Sequence, residues 1–165
     1  MGNLYITCGC PGSGKSTWAK KRQAEGWSWN SRDAVRFSML SPEDEYFSKE
    51  DEVYDVFVSN IQNDIYDKHE NIIADASHLT EKGRKMLLNR LSLNGYNVIY
   101  VVFTTPLDVA IERNNLREGR AKVPETAIRR MYNSFTMPTG NVIIVNEKGE
   151  EFFGQNNDTS IMKFL

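Results

Sequence analysis

The sequence predicts an α/β fold in which helices cover both faces of a mostly parallel sheet. Three observations support this prediction. Short apolar segments of strand length alternate with longer segments of helical periodicity, an order typical of parallel strands joined by right-handed crossovers. The strand segments are apolar at nearly every position, as expected where both faces of a sheet are buried. The length of 165 residues fits one domain, so we expect residues 1–165 to form a single unit.

The first half of the chain begins with a strand over 4–8, where β-branched and aromatic residues precede a cluster of glycines. A helix over 15–25 is closed by a glycine, and a second short strand is predicted over 27–30. Apolar residues recur at helical spacing over 50–69, which predicts an amphipathic helix of about five turns. Residues 71–75 then form a buried strand.

The second half continues the alternation, with Ser, Thr or Pro at the helix starts. A hairpin is predicted over 146–153, and a small helix is predicted for the last eight residues. The other predicted elements are helices over 80–93, 106–116 and 125–135 and strands over 97–104 and 142–145.

Composition and charge exclude several classes of protein. Hydrophobic residues make up 40% of the chain and charged residues 25%, which excludes a disordered or fibrous protein. The formal net charge of −2 provides no overall positive field, so any contact with nucleic acid must be local. No apolar run approaches the roughly 20 residues of a spanning helix, and the N-terminus has no leader pattern. We therefore expect a cytoplasmic protein without membrane contacts.

Residues 9–16, Gly-Cys-Pro-Gly-Ser-Gly-Lys-Ser, match the pattern G-x-x-x-x-G-K-[ST] of phosphate-binding loops. The match directly follows a predicted strand and opens a predicted helix. Gly12, Ser13 and Gly14 would turn backbone N–H groups toward a phosphate, and the helix N-terminus would add partial positive charge. A glycine turn that only links strand to helix would need neither the lysine nor the serine. The predicted fold is therefore the three-layer sandwich of P-loop nucleotide-binding proteins.

The residues after the loop glycines suit ATP and magnesium. Lys15 would bridge the β and γ phosphates of ATP, and the Ser16 hydroxyl would be a ligand of Mg²⁺. The Thr17 hydroxyl would lie toward the α phosphate. ATP as the phosphoryl donor and Mg²⁺ are thus the expected cofactors.

Asp33 and Arg36 follow the second predicted strand, beside the phosphate-binding loop. If Ser31 caps a short helix, both side chains lie on one face and point into the same cleft. Asp33 could then accept the proton of an attacking hydroxyl, and Arg36 could hold an anionic acceptor. On these residues alone, a surface ion pair is an equally good interpretation.

Asp75 ends the third strand, from where a carboxylate can reach the metal shell or orient an arginine on the acceptor side. The alternative is a cap at the strand end.

An arginine-rich segment over about 113–125 is predicted to form a lid, with Arg113 and Arg117 on one helix face and Arg120 after a Glu-Gly break. Such arginines can stabilise the charge of a γ-phosphoryl in transfer, although a solvated basic turn would have the same composition.

Together, the loop with Thr17-Trp18-Ala19, the Arg32-Asp33-x-x-Arg36 segment, Asp75-Ala76-Ser77 and Arg113-Asn114-x-x-Arg117 resemble the kinase domain of the phage polynucleotide kinase-phosphatase family. The resemblance covers roughly residues 3–135 and implies transfer of phosphate from ATP to the 5′-hydroxyl of DNA or RNA. It implies that Asp33 is the general base, that Arg36 holds the 3′-phosphate of the acceptor and that Asp75 supports the acceptor side. Arg117 would stabilise the transition state, and Arg113 would lie near the adenine or the phosphates.

Two departures from the family pattern qualify these expectations. The spacing from Arg117 to Val123-Pro124 is one residue longer, which leaves open whether Arg117 or Arg120 reaches the phosphates. No Asp-x-Asp-Gly-Thr phosphatase signature follows, so we expect a kinase without a phosphatase domain.

Alternative functions and the acceptor also stay open. The main alternative is a kinase for another hydroxyl, such as a hydroxymethylated base in DNA, a nucleoside or a small metabolite. A nucleotide-gated binding protein is a third interpretation. The expected acceptor is a 5′-hydroxyl end or a 3′-nucleotide, and the sequence leaves the oligomeric state undetermined.

Overall fold

The computed structural model describes residues 2–155, and they adopt the predicted α/β fold. The strands of the described region are β1 (Asn3–Cys8), β2 (Ser28–Ser31), β3 (Asn71–Asp75), β4 (Asn97–Phe103), β5 (Asn141–Val145) and β6 (Glu151–Gln155). They form one sheet in the order β2-β3-β1-β4-β5-β6. Strands β1 to β5 are parallel, and β6 is antiparallel to β5 at one edge.

Helices connect the strands and cover both faces of the sheet. The α-helices of the described region are α1 (Lys15–Ala24), α2 (Arg32–Met39), α3 (Glu50–Tyr66), α4 (Glu81–Asn89), α5 (Leu107–Asn115) and α6 (Glu125–Ser134). Helices α3 and α4 contribute to the core on one face, and α1 contributes to the core on the other. Within residues 2–155, no helix is both long and apolar enough to cross a bilayer.

The alternation of side chains along β1 explains why Leu4, Tyr5 and Ile6 are apolar without interruption. Leu4 and Ile6 pack with Phe57 of α3, whereas Tyr5, between them, packs with Trp18 of α1. Successive side chains of a strand point to opposite faces, and both faces of this strand are covered.

Two predicted elements end differently from the sequence prediction. The helix predicted over 80–93 begins at its Thr80 cap but ends at Asn89. At its end, backbone N–H groups bond to carbonyl oxygens three residues earlier instead of four. The Gln62 side chain of α3 then accepts a hydrogen bond from the Ser92 N–H (2.8 Å) and donates one to the Ser92 carbonyl oxygen (3.1 Å). The hairpin predicted over 146–153 instead pairs β5 with β6, with a turn at Asn146. The predicted terminal helix lies outside the described residues.

The carboxyl ends of the three neighbouring strands β2, β3 and β1 meet at one edge of the sheet. Ser31, the last residue of β2, is in register with Asp75, the last residue of β3. The Thr7 hydroxyl of β1 lies 3.3 Å from the Asp75 carboxylate. This edge therefore brings together the ends of three strands and the segments that follow them, as is usual for ligand sites in parallel sheets.

Candidate active site

The phosphate-binding loop connects β1 to α1 in a conformation that requires glycine. Gly12 and Gly14 have φ angles of 81° and 102°, in the region that other residues rarely adopt. A Cβ atom on Gly12 would lie 2.3 Å from the carbonyl oxygen of Ala110 in α5. The Thr105 hydroxyl donates a hydrogen bond to the Ser13 carbonyl oxygen (2.8 Å), which fixes the loop from another element.

The loop and the start of α1 also contain hydrogen-bond donors that have no partner within the helix. The first hydrogen bond at this end of the helix runs from the Trp18 N–H to the Gly14 carbonyl oxygen (3.0 Å), so the N–H groups of residues 15–17 have no partner within the helix. The buried Ser13 hydroxyl has no hydrogen-bond partner among the described residues. A phosphate would satisfy such donors, and the positive end of α1 would stabilise its charge.

The residues next to the loop fit a magnesium ion that enters with a nucleotide. Ser16 and Thr17 are exposed at the N-terminus of α1, and the Ser16 hydroxyl is the ligand that the loop offers. In residues 2–155, no group of three or more His, Cys, Asp or Glu side chains could hold a metal ion alone. Because Mg²⁺ often takes one or two protein ligands together with phosphate oxygens and water, this donor set is sufficient.

Several charged residues of the site influence the Lys15 ammonium. Its Nζ donates a hydrogen bond to the Cys10 carbonyl oxygen (3.0 Å). Burial lowers the pKa of Lys15, the carboxylates of Asp75 and Asp33 act against this shift, and Arg117 adds to it. Three residues predicted from separate segments therefore lie within electrostatic reach of one amine.

Helix α2 begins at the predicted Ser31 cap, whose hydroxyl accepts a hydrogen bond from the Ala34 N–H (3.1 Å). The spacing correctly predicts that Asp33 and Arg36 share a face, where they form an ion pair. The Asp33 side chain is 64% exposed. Its Oδ1 also accepts a hydrogen bond from the Tyr46 hydroxyl (2.9 Å), whereas Oδ2 accepts none from the described residues. One carboxylate oxygen is thus held in place and the other is available to a ligand.

Arg36 is paired with groups of the protein itself. Its Nε and Nη2 atoms donate three hydrogen bonds to the Glu50 carboxylate (3.1, 2.7 and 2.9 Å). Its Nη1 atom donates to Asp33 and to the Tyr46 hydroxyl (2.9 Å). Burial acts to lower the pKa of Arg36, but the hydrogen bonds to Glu50 and the electrostatic interactions with Tyr46, Glu50 and Asp33 together outweigh it, so the pKa is raised. All three nitrogen atoms of this guanidinium therefore have acceptors within the chain.

Asp75 is buried at the end of β3 and has defined partners. Its carboxylate accepts hydrogen bonds from the indole N–H of Trp29 (2.9 Å) and from the Thr7 hydroxyl (3.3 Å). Burial raises the pKa of Asp75, and the positive charge of Lys15 acts against this shift. The carboxylate is therefore buried and hydrogen-bonded to side chains of β1 and β2, and it is not an exposed strand cap.

The sequence prediction that Arg113 and Arg117 share a helix face is wrong, because α5 ends at Asn115. The buried Asn114 side chain binds the backbone of Val123 twice, accepting from its N–H (2.9 Å) and donating to its carbonyl oxygen (2.6 Å). These bonds close the segment between the two residues into a loop. Arg117 therefore belongs to the loop and Arg113 to the helix.

The three predicted arginines occupy different places. Arg113 donates hydrogen bonds to the carbonyl oxygens of Gly12 (3.4 Å) and Glu147 (2.6 Å), and it links the phosphate-binding loop to the β5–β6 turn. Arg117 is exposed and donates to the carbonyl oxygen of Ala121 within the loop (3.4 Å). Arg120 donates to the carbonyl oxygens of Ser41 (2.7 Å), Pro42 (2.6 Å) and Asp44 (2.9 Å). Arg120 thus joins the loop between α5 and α6 to the segment between α2 and α3.

Sequence reasoning missed two residues next to Asp33. Glu50 begins the long helix α3 and pairs with both Arg36 and Arg32 (2.5 Å), and Tyr46 donates a hydrogen bond to Asp33. Both lie in or after an irregular segment of 40–49, where no periodicity predicts which side chains turn inward. The only available signal was an acidic residue at a helix N-terminus, which is common for electrostatic reasons alone.

The loop, the unpaired N–H groups of α1 and the strand order define a P-loop nucleotide-binding domain with the fold of P-loop kinases. The chain belongs to the AAA domain family, whose model matches residues 4–138.

Solved structures support the same fold. A sugar kinase from Janibacter sp. is 19% identical with a TM-score of 0.65, and the match covers 91% of this chain and 88% of that chain. A gluconokinase from Sinorhizobium meliloti is 20% identical with a TM-score of 0.57, covering 88% and 82%. A chain of the Pnkp1/Rnl/Hen1 RNA repair complex is 23% identical with a TM-score of 0.63, covering 81% of this chain but 43% of that one. At these identities the similarity establishes the fold.

Proposed function

We propose that this chain is an ATP-dependent kinase that transfers the γ-phosphoryl group to a hydroxyl. The observation that carries the proposal is the position of Asp33. Its carboxylate lies in the first turn of α2, directly after the end of β2 that is in register with Asp75, and one of its oxygens accepts no hydrogen bond from the described residues. A protein that only binds nucleotide needs the loop but has no use for a carboxylate held in this way.

In the proposed reaction, the proton of the acceptor hydroxyl passes to Asp33 Oδ2. The acceptor oxygen forms a bond to the γ-phosphorus while the bond between that phosphorus and the β–γ bridging oxygen breaks. Lys15 and Arg117 offset the negative charge on the phosphate oxygens. Mg²⁺, held by the Ser16 hydroxyl and phosphate oxygens, would neutralise part of the same charge when bound.

We propose the 5′-hydroxyl of a DNA or RNA end, or of a 3′-nucleotide, as the acceptor. The support is the order and spacing of four motifs, which resemble those of polynucleotide kinases, together with the similarity in fold to a chain of an RNA repair complex. In this proposal Arg117 reaches the phosphates. The positive charge of Arg117 contributes to the lowered pKa of Lys15. The Arg120 guanidinium, in contrast, donates hydrogen bonds to carbonyl oxygens of the segment after α2.

A second candidate is a kinase for another hydroxyl, such as that of a small metabolite. The structural observation in its favour is the pairing of Arg36 with Glu50. Because of this pairing, Arg36 has a partner even when the acceptor has no phosphate. The sugar kinase and the gluconokinase show that the same fold occurs in proteins described as kinases of small molecules.

The test is incubation with labelled ATP, Mg²⁺ and a panel of acceptors. The panel contains 5′-hydroxyl DNA and RNA, 3′-nucleotides, nucleosides and sugars. Asp33→Asn should lower the transfer rate by about 10²- to 10⁴-fold and leave ATP binding intact. Asp108→Asn is the matched control, because Asp108 is also an exposed aspartate in the first turn of a helix. An unchanged rate for Asp33→Asn with the best acceptor would contradict the mechanism.

A further inference from the structure

The environment of Asp33 contains an aromatic cluster whose members are Phe37, Tyr46 and Phe47. Phe37 follows Asp33 by one turn of α2, and Tyr46 donates its hydrogen bond to the Asp33 carboxylate. The ring of Tyr46 meets the other two edge to face, with centroids 6.1 Å from Phe37 and 4.6 Å from Phe47. The three rings therefore form one contiguous group beside the proposed base.

Two rings of this cluster are unusually exposed for large apolar side chains. Phe47 is 68% exposed and Phe37 is 40% exposed. The cluster is nevertheless in contact with a charged group, because the Arg36 guanidinium lies 4.4 Å from the Tyr46 ring centroid and 5.6 Å from that of Phe47. Arg120 fixes the preceding backbone through carbonyl oxygens of residues 41–44. The cluster is thus a positioned surface and not a free loop end.

The same network already occupies Arg36. All three of its side-chain nitrogens donate to Glu50, Asp33 or Tyr46, and the side chain is buried. An incoming phosphate would have to displace the Glu50 carboxylate and would then lie beside it. Like charges at such a distance repel, so Arg36 in this arrangement contributes little to the binding of an acceptor phosphate.

We propose that Phe37 and Phe47 are the binding surface for a planar ring of the acceptor, and that a nucleobase occupies it. This inference rests on the proposed kinase function. Phenyl rings offer no hydrogen-bonding groups, so they suit the face of a base better than the hydroxyls of a sugar, and stacking of this kind tolerates any base. A nucleoside unit whose hydroxyl reaches Asp33 Oδ2 would then be recognised through its base, and a 3′-phosphate would not be required.

The first readout is acceptor binding, which needs no turnover. Equilibrium dialysis with labelled adenosine should show roughly 10- to 100-fold weaker binding to Phe47→Ala than to the unmodified protein, and Phe47→Trp should restore it. Phe153→Ala is the matched control, because Phe153 is 71% exposed in β6, away from the site. Equal binding by the unmodified protein and Phe47→Ala would overturn the proposal whether or not a kinase activity is found.

The second readout is kinetic and separates the base from the phosphate. We compare adenosine, adenosine 3′-phosphate and a base-free ribose 3-phosphate. For Phe47→Ala, kcat/KM should fall by a similar 10- to 100-fold with the two base-containing acceptors, while the KM for ATP stays the same. Adenosine should be used within a few fold as well as its 3′-phosphate. A strong preference for the two phosphate-bearing acceptors would overturn the inference, while loss of transfer in Asp33→Asn would still support the kinase.

Discussion

Replacing Glu50 with alanine tests the buried network around Arg36. The substitution removes the acceptor of three Arg36 hydrogen bonds and also the partner of Arg32. Breaking a buried ion pair costs about 3–5 kcal/mol, because the remaining charge stays buried and unpaired. The Arg36 side chain is only 5% exposed, but the Glu50 side chain is 25% exposed, so water can replace part of the lost contact. We therefore expect the free energy of unfolding to fall by about 2–3 kcal/mol.

The assay is urea denaturation followed by circular dichroism, with thermal unfolding as a second measurement. For a chain of this size, the loss corresponds to a fall in Tm of roughly 4–12 °C. Glu125→Ala is the matched control, because Glu125 forms an exposed ion pair with Arg129 on one helix, and such pairs contribute about 0.3–0.5 kcal/mol. If Glu50→Ala costs no more than Glu125→Ala, the argument that Arg36 is held by an internal carboxylate is refuted.

Two further predictions concern a histidine and a glycine. Burial lowers the pKa of His78 from its ordinary value of 6.5 to about 4, so the unfolded chain binds more protons between these values. The contribution of His78 to the free energy of unfolding should therefore be fully present above pH 6.5 and be lost, by roughly 3 kcal/mol, as the pH falls from 6.5 through 4. In urea denaturation at a series of pH values, His78→Gln should lose this pH dependence, whereas the control His69→Gln should keep it. Gly26→Ala should cost about 1–2 kcal/mol, because the residue has positive φ but open space around it. Gly12→Ala has the additional clash with Ala110 and should cost more and weaken nucleotide binding; equal losses in the two variants would contradict this reasoning.

Most of the fold could be predicted because its elements follow from local patterns. Most strands of the parallel sheet are short and mainly apolar, helices have caps such as Ser31 and Thr80, and glycines mark the phosphate-binding loop. The errors occur where a distant side chain ends an element. The Gln62 side chain forms hydrogen bonds with the backbone of Ser92, which lies beyond the end of α4. No periodicity in residues 80–93 reveals this partner 30 residues earlier.

The candidate site was predictable to the same degree. The spacing of Asp33 and Arg36 correctly predicted their contact, since residues three apart on a helix are neighbours. The partner of Arg36 could not be predicted, because Glu50 reaches it across the irregular segment 40–49, whose path depends on tertiary contacts. The prediction for Arg117 and Arg113 failed for a related reason, as the helix that should have joined them ends at the contact between Asn114 and Val123.

The pairing of Arg36 changes which observation can distinguish the possible acceptors. From the sequence, an arginine beside the base could hold an anionic acceptor, and an ion pair with Asp33 was an equally good interpretation. The structure supplies a further anion, Glu50, so the presence of Arg36 no longer favours a nucleotide over a phosphate-free acceptor. The exposed rings of Phe37 and Phe47 remain as the feature that favours a base, since a planar base can stack on a phenyl ring beside the carboxylate. Recognition of the acceptor therefore depends on whether these rings carry binding energy, and not on the charge of Arg36.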